Sequence, residues 1–444
     1  MSVTGQKCIL LGFNEVNFHY IQSYAEGGHL PNLRRLMDRA PLISTTSEES
    51  YEELEPWIQW VSIQTGKTYS EHKIFRLGDM VDQDFTQIWE YLESKHGIKT
   101  AAISPMNAAN RCRDPAFFVP DPWTKTGCTG DWLLQKLSGA IANAVNENAT
   151  GGSKLSSYFY VLLGVLRYSL WTHNINIIAL ILKSLRTHYQ RAILLDQLLA
   201  DAFTAHWKKD RPDFSSLFLN GCAHLQHHYM FNAKPYNGPN TNPEWYVKPD
   251  ADPLLEGFKR YDKIVGQILR LPEAPRIIIT TGLHQTPVEK PVFYWRLNKH
   301  SEFLSKLGIA HASVQPRMSR DFLVNFENAE SCKRAEDVLR SCKDKDGQLV
   351  LEEVDNRGDS LFVTLTYNQD ISADFILHYE GGTIENFRNL ISFVALKNGE
   401  HDGQGFVLDS ENQIPSDRTL PITDLFGVID SHFAAEKNTE KQAA

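Results

Sequence analysis

Four short runs set the narrowest limit on what this chain can fold into: CILLG (Cys8–Gly12), KTAAI (Lys99–Ile103), SLFLN (Ser216–Asn220) and RIIITT (Arg276–Thr281). Each is apolar through its middle, without strict alternation, and each gives way to a polar residue or a glycine. A strand with one wet face would alternate; a run that does not fits a strand covered on both faces, as in a parallel sheet. Segments of helical spacing lie between them. Leu30–Met37 has Pro31 at its start, where a missing N–H does no harm. Trp57–Thr65 is closed by Gly66, a residue suited to the left-handed cap. Phe85–Lys95 ends before Gly97, and Leu254–Leu271 leads into the fourth run. This order predicts an α/β protein with a mostly parallel central sheet and helices on both faces.

With 444 residues the chain has enough material for one large core with insertions. The rhythm places the core at 1–310, with a return to it at 381–432. Two interruptions stand out. Residues 153–207 carry a strongly apolar stretch, Tyr158–Leu185, followed by an amphipathic one. Arg167, His173, Asn174 and Asn176 break the apolar stretch below the roughly 20 uninterrupted residues of a membrane span. Packed helices forming a cap are expected there, and contact with a membrane surface or lipid tail is the alternative. Residues 311–380 read as a small inserted α/β unit, and the polar tail from 433 to 444 as disordered.

Charge and cysteine content remove several function classes. A net charge of −9 without a basic block excludes the Lys/Arg footprint of a nucleic-acid binder. No charged region, apolar core and small-residue cleavage site are read in the first residues. The six cysteines are scattered without CxxC pairs, which fits reduced thiols in the cytoplasm. On that reading the Asn148–Thr150 glycosylation triplet is fortuitous.

Residues able to carry chemistry gather at strand ends. Asn14 and Glu15 follow the first run. After the third, Asn220 precedes GCAHLQHHY, with His224, His227 and His228 within five positions. His224 and His228 are four apart and share a helical face, as in other zinc sites, whereas His227 points elsewhere. Cys222 reads as a small buried thiol. His284 follows the fourth run, and His401 sits in the glycine-flanked GEHDGQG. The acidic run Glu48, Glu49, Glu52, Glu53 and Glu55 reads largely as a solvated stretch, with Glu55 distinguished by its place before a helix start.

The segments CILLGFNEVNF, Leu30–Asp79, Leu396–Leu408 and LPITDLFGVI together resemble the alkaline phosphatase superfamily, closest to its phosphodiesterase/nucleotide pyrophosphatase and sulfatase branches. The resemblance covers about 1–135, 211–310 and 385–430. It implies a metal-dependent hydrolase of a phosphate or sulfate ester. It also puts Asn14 and Asn220 where the family has metal-binding Asp, His224 and His401 where it has metal-binding His, and Pro56 where it has its nucleophile. After RIIITT the family's Asp is missing and His284 comes one place late. The implied centre is altered, with one ion or two. It draws on His224, His401, His228, His284, Asn14, Glu15 and Asn220, with Trp57 and His227 near substrate. Zinc is the expected ion, manganese or magnesium the alternatives. Glu55 would act on water, and the helix start after Pro56 would cradle an oxyanion. The substrate is a small-molecule ester, or one linked to a glycan or lipid. Two other functions remain open: a non-catalytic binding or regulatory protein on the same frame, and a transferase acting on a glycan or lipid carrier.

Overall fold

The computed structural model describes residues 6–47, 54–147, 155–169, 175–187, 189–316 and 320–443. Glu48 to Glu53, the Asn148–Thr150 triplet, His173 and Asn174 lie outside these residues. The chain divides into two compact units, one formed by the described parts of 1–148, 152–287 and 399–444, the other by 288–398.

The first unit is built on an eight-stranded sheet. Its strands are β1 (Cys8–Phe13), β2 (Leu42–Thr46), β3 (Thr100–Ile103), β4 (Phe117–Val119), β5 (Phe214–Leu219), β6 (Arg276–Thr280), β15 (Gln404–Asp409) and β16 (Leu420–Pro421), in the order β16-β2-β15-β6-β1-β5-β3-β4. β1 pairs in parallel with β5 and β6, and β3 with β5 and β4; β15 alone runs antiparallel, between β2 and β6. The four runs singled out in the sequence are thus β1, β3, β5 and β6. Every residue of β1, β5 and β6 is buried, as unalternating apolar strands require. The carboxyl ends of β1, β5 and β6 lie side by side, so Asn14, Asn220 and Thr281 emerge at one edge, where open α/β sheets bind ligands.

Helices α1 (Phe18–Glu26), α2 (Pro31–Met37), α3 (Pro56–Thr65) and α4 (Ile88–His96) follow the early strands. α3 has Pro56 at its first position and ends at Gly66, whose φ of 66° needs a residue without Cβ. β1 carries Gly12 because the Trp60 ring of α3 packs against it: a Cβ there would lie 2.7 Å from that ring. Between 132 and 210 the described residues form α5 (Trp132–Glu147), α6 (Leu155–Gly164) leading into a π-helical turn (Val165–Ser169), α7 (Ile175–Arg186) and α8 (Gln190–Asp210). Their inward residues, among them Leu137, Tyr168, Leu180 and Phe203, join the main apolar cluster beside β1 and β5. No described helix is long and apolar enough to cross a membrane. α9 (Gly221–Tyr229) and α10 (Pro253–Ile268) complete the unit's middle.

The chain leaves this unit along β7 (His284–Leu297) and returns along β14 (Ile391–Asp402), which pair with each other. Neither long strand is obvious in the sequence. Pro287 and Pro291 argue against a central strand but suit an isolated ribbon, which has free edges. The second unit holds an antiparallel sheet of β8 (Ser313–Pro316), β9 (Asp321–Asn325), β10 (Glu353–Asn356) and β11 (Ser360–Thr364), with a short hairpin of β12 (Leu377–Tyr379) and β13 (Gly382–Ile384). α11 (Ala329–Arg340) packs on β10 and β11 of the sheet, with Cys332, Ala335 and Leu339 buried on its inner face. The unit takes in 288–398, where the sequence reading sets an insertion at 311–380, because Trp295 and Phe393 of the ribbon pack together and Trp295 bonds the Gln369 carbonyl. A last helix, α12 (Asp424–Ala443), continues into residues expected as a disordered tail; their Ala, Glu and Lys content favours helix.

Arg276, at the start of β6, forms a two-pronged ion pair with Asp409 of β15 at 2.9 and 2.8 Å, both side chains almost wholly buried. Asp409→Ala strands a guanidinium in the core. It is expected to cost about 3–5 kcal/mol in urea unfolding; a loss below about 1 kcal/mol would mean that water reaches Arg276.

Candidate active site

The site starts from the turn that ends β1. Glu15 takes a left-handed backbone conformation, φ 57°, which costs a non-glycine residue energy. Its N–H donates to the Thr281 carbonyl at 3.1 Å, and its own carbonyl accepts from the Gln226 side chain at 2.6 Å. The carboxylate that this turn aims inward is buried. Oε2 accepts from His227 Nε2 at 2.9 Å, from His401 Nε2 at 3.1 Å and from the Gln285 amide; Oε1 accepts from the Asn14 amide at 2.7 Å. Burial alone would raise its pKa, but the charges and hydrogen bonds of His227 and His401 outweigh this and hold it well below the ordinary carboxylate range.

The ligand atoms of Glu15, His227 and His401 all lie within 4.8 Å of one another. Both histidines turn Nε2 inward. Nδ1 of His227 faces the Gly399 carbonyl at 3.3 Å, and Nδ1 of His401 lies 3.9 Å from the Glu55 carboxylate. An acceptor facing Nδ1 is what orients an imidazole whose other nitrogen serves as a ligand. One carboxylate and two imidazoles form a donor set that zinc and neighbouring divalent ions accept, and three protein ligands leave room for substrate. The residues present therefore fit a divalent cation.

Gly399 allows the ribbon to come this close: a Cβ on it would sit 2.4 Å from Gln285 Oε1 and 2.9 Å from the Gln226 carbonyl.

α9 decides which histidine takes part. Its inner face carries Ala223, Gln226 and His227: Gln226 bonds the Glu15 carbonyl, and the Ala223 carbonyl accepts from Gln285 at 3.1 Å. His224 and His228 lie on the other side, rings edge-to-face at 4.7 Å, with His224 exposed to solvent. The expected pairing of His224 with His401 is thus replaced by one of His227 with His401. The sequence reading chose the i, i+4 pair, whereas the i, i+3, i+4 set of 223, 226 and 227 faces the sheet edge. His284 is buried, its Nδ1 against the Gln404 carbonyl and 3.8 Å from Asp402, and it stands outside the three-residue group; burial lowers its pKa. The Trp57 indole is held by the Phe75 carbonyl at 2.9 Å rather than by any site residue.

Asn14 and Asn220 are engaged with each other. The indole N–H of Trp60 can only donate, so the Asn14 atom 2.7 Å from it is the carbonyl oxygen. The amide nitrogen of Asn14 then donates both to Glu15 and to the Asn220 oxygen at 2.7 Å. Both amide oxygens are hydrogen-bonded already. Glu55 is the N-cap residue of α3, and its backbone carbonyl accepts from Ile58 and Gln59. With Pro56 lacking an N–H, the helix start offers fewer donors to an oxyanion than its position suggests.

Type I phosphodiesterase / nucleotide pyrophosphatase is the family whose model matches this chain, over residues 8–385, and the chain belongs to that family. Membership confirms the resemblance read from the sequence and supports phosphoester hydrolysis as the chemistry. No curated protein matches. Among solved structures, phosphonoacetate hydrolase from Sinorhizobium meliloti 1021, in complex with phosphonoformate, aligns at 13% identity and TM-score 0.43 over 97% of this chain and 96% of its own. Human ectonucleotide pyrophosphatase/phosphodiesterase 5 aligns at 12% identity and TM-score 0.40, over 97% and 95%. The murine form, in complex with AMP, aligns at 12% and 0.39, over 97% and 95%.

Asp196 of α8 anchors the helix that carries His227. Its carboxylate accepts from the Gly221 N–H at 2.7 Å and from the Tyr261 hydroxyl at 2.7 Å. Burial pushes its carboxyl up to about 6, against the hydrogen bonds, which pull it down. The folded state thus prefers the protonated acid: its stabilising effect is complete below the usual value of 3.8 and is lost as pH rises through about 6. Between pH 4 and 7, unfolding of an Asp196→Asn variant should therefore gain on the wild type by on the order of 2 kcal/mol. A pH-independent difference would show that Asp196 does not titrate in the fold.

Proposed function

We propose that the protein is a metal-dependent hydrolase of a small phosphoester and holds one divalent cation through Glu15, His227 and His401. The observation that carries this reading is the convergence of one carboxylate and two imidazole Nε2 atoms, within 4.8 Å of one another, at the carboxyl edge of the sheet. A single ion, zinc in the first instance, follows from the neighbouring positions. The Asn14 oxygen already accepts from the Trp60 N–H and the Asn220 oxygen from the Asn14 amide, and a neutral amide oxygen is a weaker ligand for a second ion than a carboxylate. Such a cation supplies positive charge against the phosphoryl oxygens as negative charge builds on them.

The side chains of this chain do the rest. Glu55 is partly exposed, stands 3.9 Å from His401 Nδ1, and takes the proton of the attacking water. His227 and His401 keep Glu15 ionised. Gln226 and Gln285 hold its carbonyl and carboxylate in place. Water is the attacking group because Pro56, at the family's nucleophile position, has nothing to attack with. Ser47 donates its hydroxyl to the Gly282 carbonyl, and Thr45 is buried.

Two measurements test this. Elemental analysis of the purified protein should find about one zinc, manganese or magnesium per chain. His227→Ala should lose it and His224→Ala keep it; retention by His227→Ala would remove His227 as a ligand. With bis-p-nitrophenyl phosphate as probe, Glu55→Gln should keep its ion and lose on the order of 10²-fold in kcat. Loss of ion affinity with kcat intact at saturating metal would make Glu55 an orienting partner of His401 instead. A metal-loaded wild type without turnover on phosphodiester or monoester probes would favour the binding-protein alternative.

A further inference from the structure

The helical insertion turns an apolar face outward that the hydrolytic site does not use. Phe159 and Leu162 on α6 and Leu166 on the π turn follow one another three and four residues apart, the spacing of a single helical stripe. Ile178, Leu182 and Leu185 form a second stripe on α7. These side chains are open to solvent: Phe159 is 55% exposed, Leu182 56% and Leu185 72%. The opposite faces are well packed, with Val165, Tyr168, Ile177 and Leu180 buried in the main core. The outward stripes are therefore a second apolar face on helices that already have one. Trp132 of α5, 60% exposed, stands edge-on to Tyr160 at 5.9 Å, and Phe159 meets the same ring at 5.6 Å. Rings with an apolar body and a polar tip suit the boundary between lipid tails and headgroups.

Charge selects the occupant. Residues 148–195 contain Lys154, Arg167, Lys183, Arg186 and Arg191 and no Asp or Glu, in a chain whose net charge is −9. Arg167 and Arg186 are exposed on the same segments as the stripes; Lys183 is exposed too, but lies 3.5 Å from the Glu256 carboxylate. Arg167 also lines, with Lys208 and Lys209, a cavity of about 580 Å³ beside Tyr168 and His206. The one carboxylate in its wall, Asp131, is engaged by the Tyr168 hydroxyl at 3.3 Å and lies 3.5 Å from His206. A second copy of this chain pairing through the same face would set these cations against each other. Apolar stripes with an arginine beside each match a surface that is apolar beneath and anionic at its rim. No described helix is both long and apolar enough to cross a bilayer, so the proposed contact is with its surface.

We propose that the α6–α7 insertion docks this protein on an anionic phospholipid bilayer, with the apolar stripes entering at headgroup depth and Arg167 and Arg186 meeting lipid phosphates. The proposal is independent of the hydrolytic reading, since it uses none of the residues placed at that site. Flotation of the full chain tests it, with vesicles of phosphatidylcholine alone and of a two-to-one mixture with phosphatidylglycerol. The protein should float with the mixed vesicles, remain below with the neutral ones, and be released by high salt. Leu182→Glu/Leu185→Glu and Arg167→Glu/Arg186→Glu should each lower the floated fraction about tenfold or more, with thermal midpoint and metal content unchanged. The proposal fails if the wild type does not float with the mixed vesicles. It fails equally if neutral vesicles carry the protein as well, or if the Arg167→Glu/Arg186→Glu protein floats like the wild type. A dimer seen by light scattering without lipid, and dissociated by Leu182→Glu/Leu185→Glu, would assign the face to a second copy and overturn it as well.

Discussion

The ionised carboxylate of Glu15 is the constraint on which the rest of the site depends. An unpartnered charge at this depth would destabilise the fold severely, so each of its oxygens must meet donors. Two imidazoles and two amides meet them, from α9, β7, β14 and the β1 turn itself. Four parts of the chain distant in sequence are therefore held at one point by one side chain. The left-handed backbone at Glu15 is tolerated because the Thr281 carbonyl and the Gln226 amide fix the turn from both sides.

The same demand explains why the site sits where it does. Parallel β1, β5 and β6 bring their carboxyl ends to one edge, and the antiparallel β15 delivers the β14–β15 turn, with His401 beside it, to that edge from the other direction. Gly399 and Gly12 mark two of the places where backbone and side chains approach too closely for a Cβ. Cation affinity and folding should be coupled here, since the groups that would bind the ion are those that neutralise Glu15 in its absence.

Much of the frame was legible in the sequence. The runs at Cys8, Lys99, Ser216 and Arg276 are buried parallel strands, and Pro31, Pro56 and Gly66 sit where helix-end chemistry puts them. Glu15 and His401 were visible because they stand at a strand end and in a glycine-flanked turn. The choice among His224, His227 and His228 was not legible. All three lie on one helix, and which face meets the sheet is set by tertiary contacts of Ala223 and Gln226 that no local pattern reveals. The roles of Gln226, Gln285 and Trp60 were hidden for a related reason: amides and an indole in apolar segments look like ordinary core residues until the carboxylate they serve is in place. The ribbon strands went unread because their prolines are incompatible only with a sheet interior.

The Trp60–Asn14–Asn220 chain of hydrogen bonds has a consequence for the history open to this sequence. Each asparagine supplies what the other needs, an amide from Asn14 and a carbonyl from Asn220. An aspartate at position 14 alone would face the Asn220 oxygen and the Glu15 carboxylate with acceptors only, and an aspartate at 220 alone would put a further negative charge beside Glu15's neighbour. The two positions are therefore unequal: residue 14 must accept from Trp60 and donate to two oxygens, which an amide does and a carboxylate does not, whereas residue 220 need only accept, which a carboxylate also does. Substitution by an acid is thus open to this sequence at 220 and closed at 14 for as long as the Trp60 indole and the Glu15 carboxylate stand on either side of that amide.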